Sequence, residues 1–233
     1  MTLHRSVRSI RVVVVADQPL MAESVRGALA GRGIDVNEAR WPDHHRRGRI
    51  SASRNAGLVI TDLEDAEQLR ATEVMLALPT VPWAVLTSAP RGWMWGALIE
   101  AGATQVMPKS STLDDVVETL SALSSGDAPM PVSERLELAE SWFSRVHRRD
   151  LVAARVGRLT PREQEVLDQL YQGHPVADIA DTLDLSAATV RTQVRSILKK
   201  LEVRTQLGAV AALDLVKGFA DNGQIGPRKF VQA

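Results

Sequence analysis

The chain has 233 residues, room for two domains of ordinary size, and its 45% hydrophobic and 24% charged content excludes fibrous and disordered classes. It contains no cysteine, which removes disulfides, thiol nucleophiles and cysteine-ligated metal centres. Its 28 basic and 28 acidic residues cancel, so any affinity for nucleic acid must come from charge gathered in one place.

The basic N-terminus, MTLHRSVRS, precedes an apolar run from Ile10 to Ala16 that Arg11 breaks, too short for a signal-peptide core. No run approaches the about 18 apolar residues of a membrane span, so no membrane partner and a cytoplasmic location are expected. Arg11–Val15 (RVVVV) reads as a buried parallel strand that feeds a loop at Ala16-Asp17-Gln18-Pro19. A helix is expected over Leu20–Ala30, stopped by Gly31 and Gly33, then a strand over Ile34–Ala39. The segment 41–55, WPDHHRRGRISASRN, has no clean period and reads as a ragged helix or a loop. Its pair His44-His45 is discounted as a metal site, because adjacent residues face apart on a regular element. Strands follow at Leu58–Thr61, Val81–Thr87 and Thr104–Met107, and helices at Ala66–Leu78, Gly92–Ala101 and Thr112–Ser124. Thr112 caps the last of these, with Asp114 and Asp115 in its first turn.

Five β-α units in succession predict a doubly wound parallel sheet of flavodoxin-like (βα)5 type, with its site beyond the carboxyl ends of the strands. The residues at those ends are Asp17, Asp62, Thr87 and Lys109. Two carboxylates can hold a Mg²⁺, a lysine can neutralise a phosphoryl group, and a carboxylate can itself accept one. No glycine-rich phosphate loop or catalytic histidine follows any strand, which speaks against an enzyme. Trp93 and Trp95 stand after the fourth strand and offer either a pocket cap, a partner surface or ordinary packing.

The order Asp17…Asp62…Thr87…Lys109, ending in AGATQVMPKSSTLDDVVETL, resembles a response-regulator receiver domain. The resemblance implies Asp62 as phosphoacceptor, Asp17 as an acid of the metal pocket, Thr87 as switch hydroxyl and Lys109 as the phosphate-facing lysine. It also implies a sensor histidine kinase as partner, and Mg²⁺ at phosphorylation. Three departures weaken those implications. Ala16 replaces one of two adjacent acids, Val106 stands where an aromatic switch residue is usual, and Leu63-Glu64-Asp65 runs into the helix without the customary Met-Pro-Gly loop. An atypical receiver is therefore expected, phosphorylated weakly or not at all, with at most a weak Mg²⁺ site at Asp17 and Asp62 and no resident cofactor.

Ser124–Pro131 reads as a linker, and Ser133 as the N-cap of a further helix on which Leu136, Ala139, Trp142, Phe143 and Val146 recur at helical spacing towards Val156. That helix must bury its apolar side against either domain or a second chain. From Leu159 three helical patterns follow. Thr160 caps the first with Glu163 in a capping box, Gly173 ends it, Pro175 opens the second, and Ser186 caps the third. Val190, Val194, Ile197, Leu198 and Leu201 make one apolar stripe on the third helix. Arg191, Arg195 and Lys199 make a basic row on another face, with Ala188 and Thr192 close to it and no acid between Ser186 and Leu201. A helix with an apolar back and a basic front suits the major groove of DNA. A fourth helix, Thr205–Val216, offers apolar surface for a dimer contact.

The stretch LTPREQEVL…VADIADTLDLSAATVRTQVRSILKKL closely resembles the DNA-binding domain of LuxR/NarL-type regulators. The resemblance implies Arg191, Thr192 and Arg195 at base-facing positions, Lys199 and Lys200 on phosphates, and Thr189 and Gln193 near the backbone. The expected organisation is a receiver-like domain over 1–124, a linker with connecting helix over 125–157, a four-helix helix-turn-helix domain over 158–220 and a disordered tail over 221–233. The expected function is a DNA-binding transcriptional regulator, dimeric on double-stranded DNA. A conventional phosphorylation switch and control by ligand or protein binding are the alternatives.

Overall fold

A computed structural model describes residues 10–38, 55–63, 66–77 and 81–221. The expectations for the N-terminal nine residues, for 41–54 with His44-His45 and for the tail beyond Asp221 fall outside the described residues. The chain divides into two compact units, with the boundary after Phe143.

In the first unit, strands β1 (Arg11–Ala16), β2 (Asp35–Glu38), β3 (Ala56–Thr61), β4 (Trp83–Thr87) and β5 (Ala103–Pro108) form one parallel sheet in the order β2-β1-β3-β4-β5. The order reverses beside β1, the feature that opens a crevice at the strand ends in doubly wound sheets. β1, β3 and β4 are buried on both faces from Val12 onward, which is why they read as continuous apolar runs. Helices α1 (Pro19–Ala30), α2 (Ala66–Leu76), α3 (Trp93–Ala101) and α4 (Leu113–Ser125) connect them. One core cluster joins Val12, Val14, Leu58, Ile60, Leu86 and Met107 of the sheet to Ala22 and Leu29 of α1 and to Val116 and Leu120 of α4. Thr112 caps α4 as expected: its hydroxyl accepts from Asp115 N–H while the Asp115 carboxylate accepts from Thr112 N–H at 2.9 Å.

Helix α5 (Val132–Val156) starts one residue before the expected Ser133 cap, because Pro131 supplies the first carbonyl, to Arg135 N–H at 3.0 Å. Within the first unit its Leu138 and Trp142 are buried, and Trp142 stacks on Trp93 of α3 with ring centroids 6.2 Å apart. The Arg135 guanidinium donates to Thr104 O at 2.9 Å and Arg91 pairs with Glu134 and Glu137. The contact is closest at Gly96, where a Cβ would stand 2.1 Å from Leu138 O and 2.8 Å from Trp142 Cβ. Alanine gains about 1 kcal/mol over glycine in a free helix, but here it must push a backbone carbonyl aside, at about 1–3 kcal/mol or more. Gly96→Ala is therefore expected to lower the thermal midpoint of the first unit, and an unchanged or raised midpoint in a calorimetric scan would refute the tight seating of α5.

The second unit contains the C-terminal half of α5 and helices α6 (Pro161–Tyr171), α7 (Val176–Thr182), α8 (Ala187–Leu201) and α9 (Gln206–Asp221). Its core is built from Val166, Leu167, Ile179, Val190, Val194, Ile197 and Leu213, with Val152 and Val156 packed against it. On α9, Ala209, Ala212 and Leu213 are buried in that core and Val210 is half-buried, while Leu207 and Ala211 remain exposed.

Candidate nucleic-acid interface and strand-end pocket

The helix α8 begins at Ser186, whose Oγ accepts from Thr189 N–H at 3.0 Å and also meets Thr189 Oγ1 at 2.8 Å. Asp184, with φ of 53°, turns the chain sharply between α7 and α8, and the Arg162 guanidinium closes that turn by donating to Leu183 O. Val190, Val194, Ile197 and Leu201 lie in the core, and the same 3.6-residue period turns Arg191, Thr192, Arg195 and Lys199 to solvent. Arg191, Arg195 and Lys199 have no ion-pair partner among the described residues, so the row keeps its charge for a ligand. Thr192 Oγ1 donates to Ala188 O at 3.0 Å, and the residue remains exposed. Gln193 is half-buried.

Lys200 is oriented otherwise than expected. Its ammonium lies 2.6 Å from Glu163 Oε2 of α6, an ion pair within the domain. The same carboxylate accepts from Ser196 Oγ at 2.6 Å and from Thr160 N–H at 2.7 Å. Burial alone would raise the Glu163 pKa, but the bonds from Lys200, Ser196 and Thr160 hold it down at about 2. Glu163 is readable in the sequence only as a helix cap. Its grip on the recognition helix becomes visible once Ser196 and Lys200, four residues apart, are seen to share the face of α8 that meets α6.

In the first unit the ladder continues past the strand ends, through Asp17 N–H to Ile60 O at 3.2 Å and Lys109 N–H to Thr87 O at 3.0 Å. Those bonds bring Asp17, Asp62 and Lys109 together. Asp17 Oδ2 accepts from Asp62 N–H at 3.2 Å, and Asp62 Oδ1 lies 2.7 Å from Lys109 Nζ. The Asp62 carboxyl is held below its ordinary pKa by the hydrogen bonds from Lys109 and then Ser88, against a smaller contribution from burial. The structure puts Ser88, not Thr87, on that carboxylate, with Oγ donating to Asp62 Oδ1 at 2.5 Å. Thr87 is fully buried and its Oγ1 accepts from Ala89 N–H at 3.1 Å, a local turn that Thr61 repeats on the neighbouring strand by accepting from Leu63 N–H. Leu63 itself has φ of 55°, a costly conformation for a leucine.

The metal question turns on the same residues. Asp17 Oδ1 is buried with no hydrogen-bond partner, an acceptor open to a cation. Ala16 contributes a buried methyl to the core, and no group of three His, Cys, Asp or Glu side chains exists among the described residues. Of the two tryptophans, Trp93 is half-buried and Trp95 is buried. Trp95 is buried with Nε1 donating to Ala89 O at 2.9 Å, and Trp93 is stacked on Trp142.

Residues 157–212 match the family described as bacterial regulatory proteins, LuxR family. Over 207 residues the chain is 25% identical to the uncharacterized transcriptional regulatory protein YxjL of Bacillus subtilis (strain 168), across 86% of this chain and 93% of that protein. It is 28% identical over 207 residues to the nitrate/nitrite response regulator protein NarP of Escherichia coli (strain K12), across 85% and 92%. Among solved structures it is similar to the two-component response regulator RcsB–DNA complex, at 19% identity and a TM-score of 0.46, over 89% of this chain and 99% of that one.

Proposed function

We infer that this chain, which has a LuxR-type helix-turn-helix domain and is homologous along most of its length to NarL/LuxR-type response regulators, is a DNA-binding transcriptional regulator. The observation that supports this best is the outward row Arg191–Arg195–Lys199 on a helix whose opposite face is buried. In this reading Arg191, Thr192 and Arg195 meet base edges, where arginine reads guanine. Lys199, with Thr189 and Gln193 beside the row, serves the phosphate backbone. The working form is a homodimer on double-stranded DNA in the cytoplasm. No helix among the described residues is long and apolar enough to cross a membrane. Selection of bound sequences from random DNA is the test. Enrichment of two related half-sites is expected, and no enrichment over input would refute sequence-specific reading.

The trigger belongs to the first unit, and we read its pocket as a weak or inactive phosphoacceptor. Asp17 and Asp62 are the residues that would hold a Mg²⁺, which when bound neutralises charge during phosphoryl transfer. Asp62 already faces the Lys109 ammonium, and Ala16 leaves the pocket one acid short of the usual receiver set, which weakens the charge compensation a divalent cation needs. Val106 is buried at 2% exposure and cannot swing as an aromatic read-out would. The second reading, phosphorylation of Asp62 by a sensor histidine kinase, has the Asp62–Lys109 pairing in its favour. Incubation with acetyl phosphate and Mg²⁺ decides between them by intact mass. Well under one phosphoryl group per chain is expected, with DNA binding unchanged in Asp62→Asn. A stoichiometric, Mg²⁺-dependent adduct that disappears in Asp62→Asn would overturn the weak-acceptor reading.

A further inference from the structure

Helix α5 has two apolar faces, and one of them has no partner among the described residues. Leu138 and Trp142 are 1% and 2% exposed against α3, whereas Val132, Leu136 and Phe143 are 73%, 64% and 43% exposed. With half-buried Ala139, the exposed set falls at 132, 136, 139 and 143. That is a 4-3-4 spacing, the alternating step of a coiled-coil seam, sustained over about 16 Å of helix. A seam of this period fits another helix of the same period better than a flat surface or a small ligand.

We propose that Val132, Leu136, Ala139 and Phe143 form a parallel two-helix seam with the same residues of a second copy of this chain. The flanking charges select the parallel arrangement. With Leu136 and Phe143 at one core position and Val132 and Ala139 at the other, Arg135 and Glu140 occupy the two flanks, five residues apart. In a parallel pair each Arg135 faces the partner's Glu140, the charge pairing that sets orientation in coiled coils. Arg135 uses one guanidinium nitrogen on Ala103 and Thr104 carbonyls and keeps further donors, and Glu140 has no ion pair among the described residues. An antiparallel pair would instead place like charges on each flank, Arg135 towards the partner's Arg135 and Glu140 towards the partner's Glu140.

The seam rests on the reading of the protein as a dimeric DNA-binding regulator and deepens it by naming the surface that joins the copies. Four side chains per helix, over about three turns, cover less than the about 1,000 Å² that marks a stable interface. The free protein is therefore a weak dimer, and two half-sites on one DNA tighten it by raising the effective concentration of the second copy.

The absence of cysteine makes a direct test available in the full chain. Leu136→Cys, at an exposed position, is expected to form an interchain disulfide in a glutathione redox buffer at least tenfold faster than Ser144→Cys, on a polar face of the same helix. Equal rates, or no disulfide, would overturn the proposal. So would faster cross-linking between Val132→Cys and Phe143→Cys chains in a mixture, the signature of antiparallel pairing. In sedimentation velocity, Leu136→Glu is expected to weaken self-association at least tenfold, and wild-type behaviour would count against the seam. A separate titration on single half-site DNA tests the other reading. There, Leu136→Glu should bind as wild type, and failure of both proteins to bind would sink the regulator reading while the cross-linking rates still decide the seam.

Discussion

Glu163→Gln is expected to destabilise the C-terminal unit by about 3 kcal/mol, the lower end of what breaking a buried ion pair costs. For a domain of this size that corresponds to a fall of roughly 15 °C in thermal midpoint. The carboxylate is 5% exposed and accepts from Thr160 N–H, Ser196 Oγ and Lys200 Nζ. Glutamine keeps the shape but offers one acceptor oxygen, and its NH₂ group faces either a hydroxyl or an ammonium. With the amide oxygen on Thr160 N–H and Lys200 and the NH₂ donating to Ser196 Oγ, the hydrogen bonds can be kept, but the negative charge opposite the Lys200 ammonium is lost. Because Ser196 and Lys200 lie on α8, the variant should also bind specific DNA more weakly at temperatures where it is still folded.

The same residue shapes the acid limb of stability. Its carboxyl ordinarily titrates near 4.5 and is held at about 2 in the fold, so folding favours the ionised form. The stabilisation is fully present above pH 4.5 and is lost as the pH falls from there towards 2. A shift of that size is worth about 3 kcal/mol at about 1.4 kcal/mol per pH unit. Denaturant titrations of wild type and Glu163→Gln between pH 7 and pH 3 check this. The difference between the two should shrink on acidification, and a gap that stays constant would show that the charge on Glu163 is not what stabilises the unit.

The strand-end pocket is largely legible in the sequence, because a parallel strand buried on both faces reads as an apolar run and its first polar residue marks the crevice. Asp17, Asp62 and Lys109 follow from that alone. Ser88 does not. Thr87 is still in register with Thr61 and Pro108, so its side chain follows the pleat into the core, and the next residue is the first one free to reach Asp62. Where the pleat stops is a matter of tertiary hydrogen bonding that residue types do not reveal. Helix α5 hides a similar ambiguity. Leu136, Ala139, Trp142, Phe143 and Val146 recur at helical spacing, yet Trp142 and Val146 are buried while Leu136 and Phe143 are exposed. Spacings of three, four and seven are shared by two faces about 100° apart, and only a packing partner tells them apart. The inward turn of Lys200 belongs to the same class, since a lysine at the end of a basic helix looks like a phosphate contact until a buried acid is found beneath it.

That distinction yields the second large effect, on DNA binding. Arg195→Ala is expected to cost about 1–3 kcal/mol on the selected operator and to relax specificity at the base it meets, since a base-edge contact discriminates between sequences. Lys199→Ala should weaken specific and random DNA alike and reduce the slope of log affinity against log salt by about 0.9, the release of one counterion. Lys200→Ala should leave that slope unchanged, because its ammonium already faces Glu163 at 2.6 Å, and should lower the thermal midpoint instead. Salt titrations of the three variants on specific and random duplexes separate the roles. Equal losses for Arg195→Ala on both duplexes would remove it from base reading. A reduced slope for Lys200→Ala would mean that the lysine leaves Glu163 on binding and reaches the phosphate after all, so that the buried carboxylate is uncovered as the complex forms.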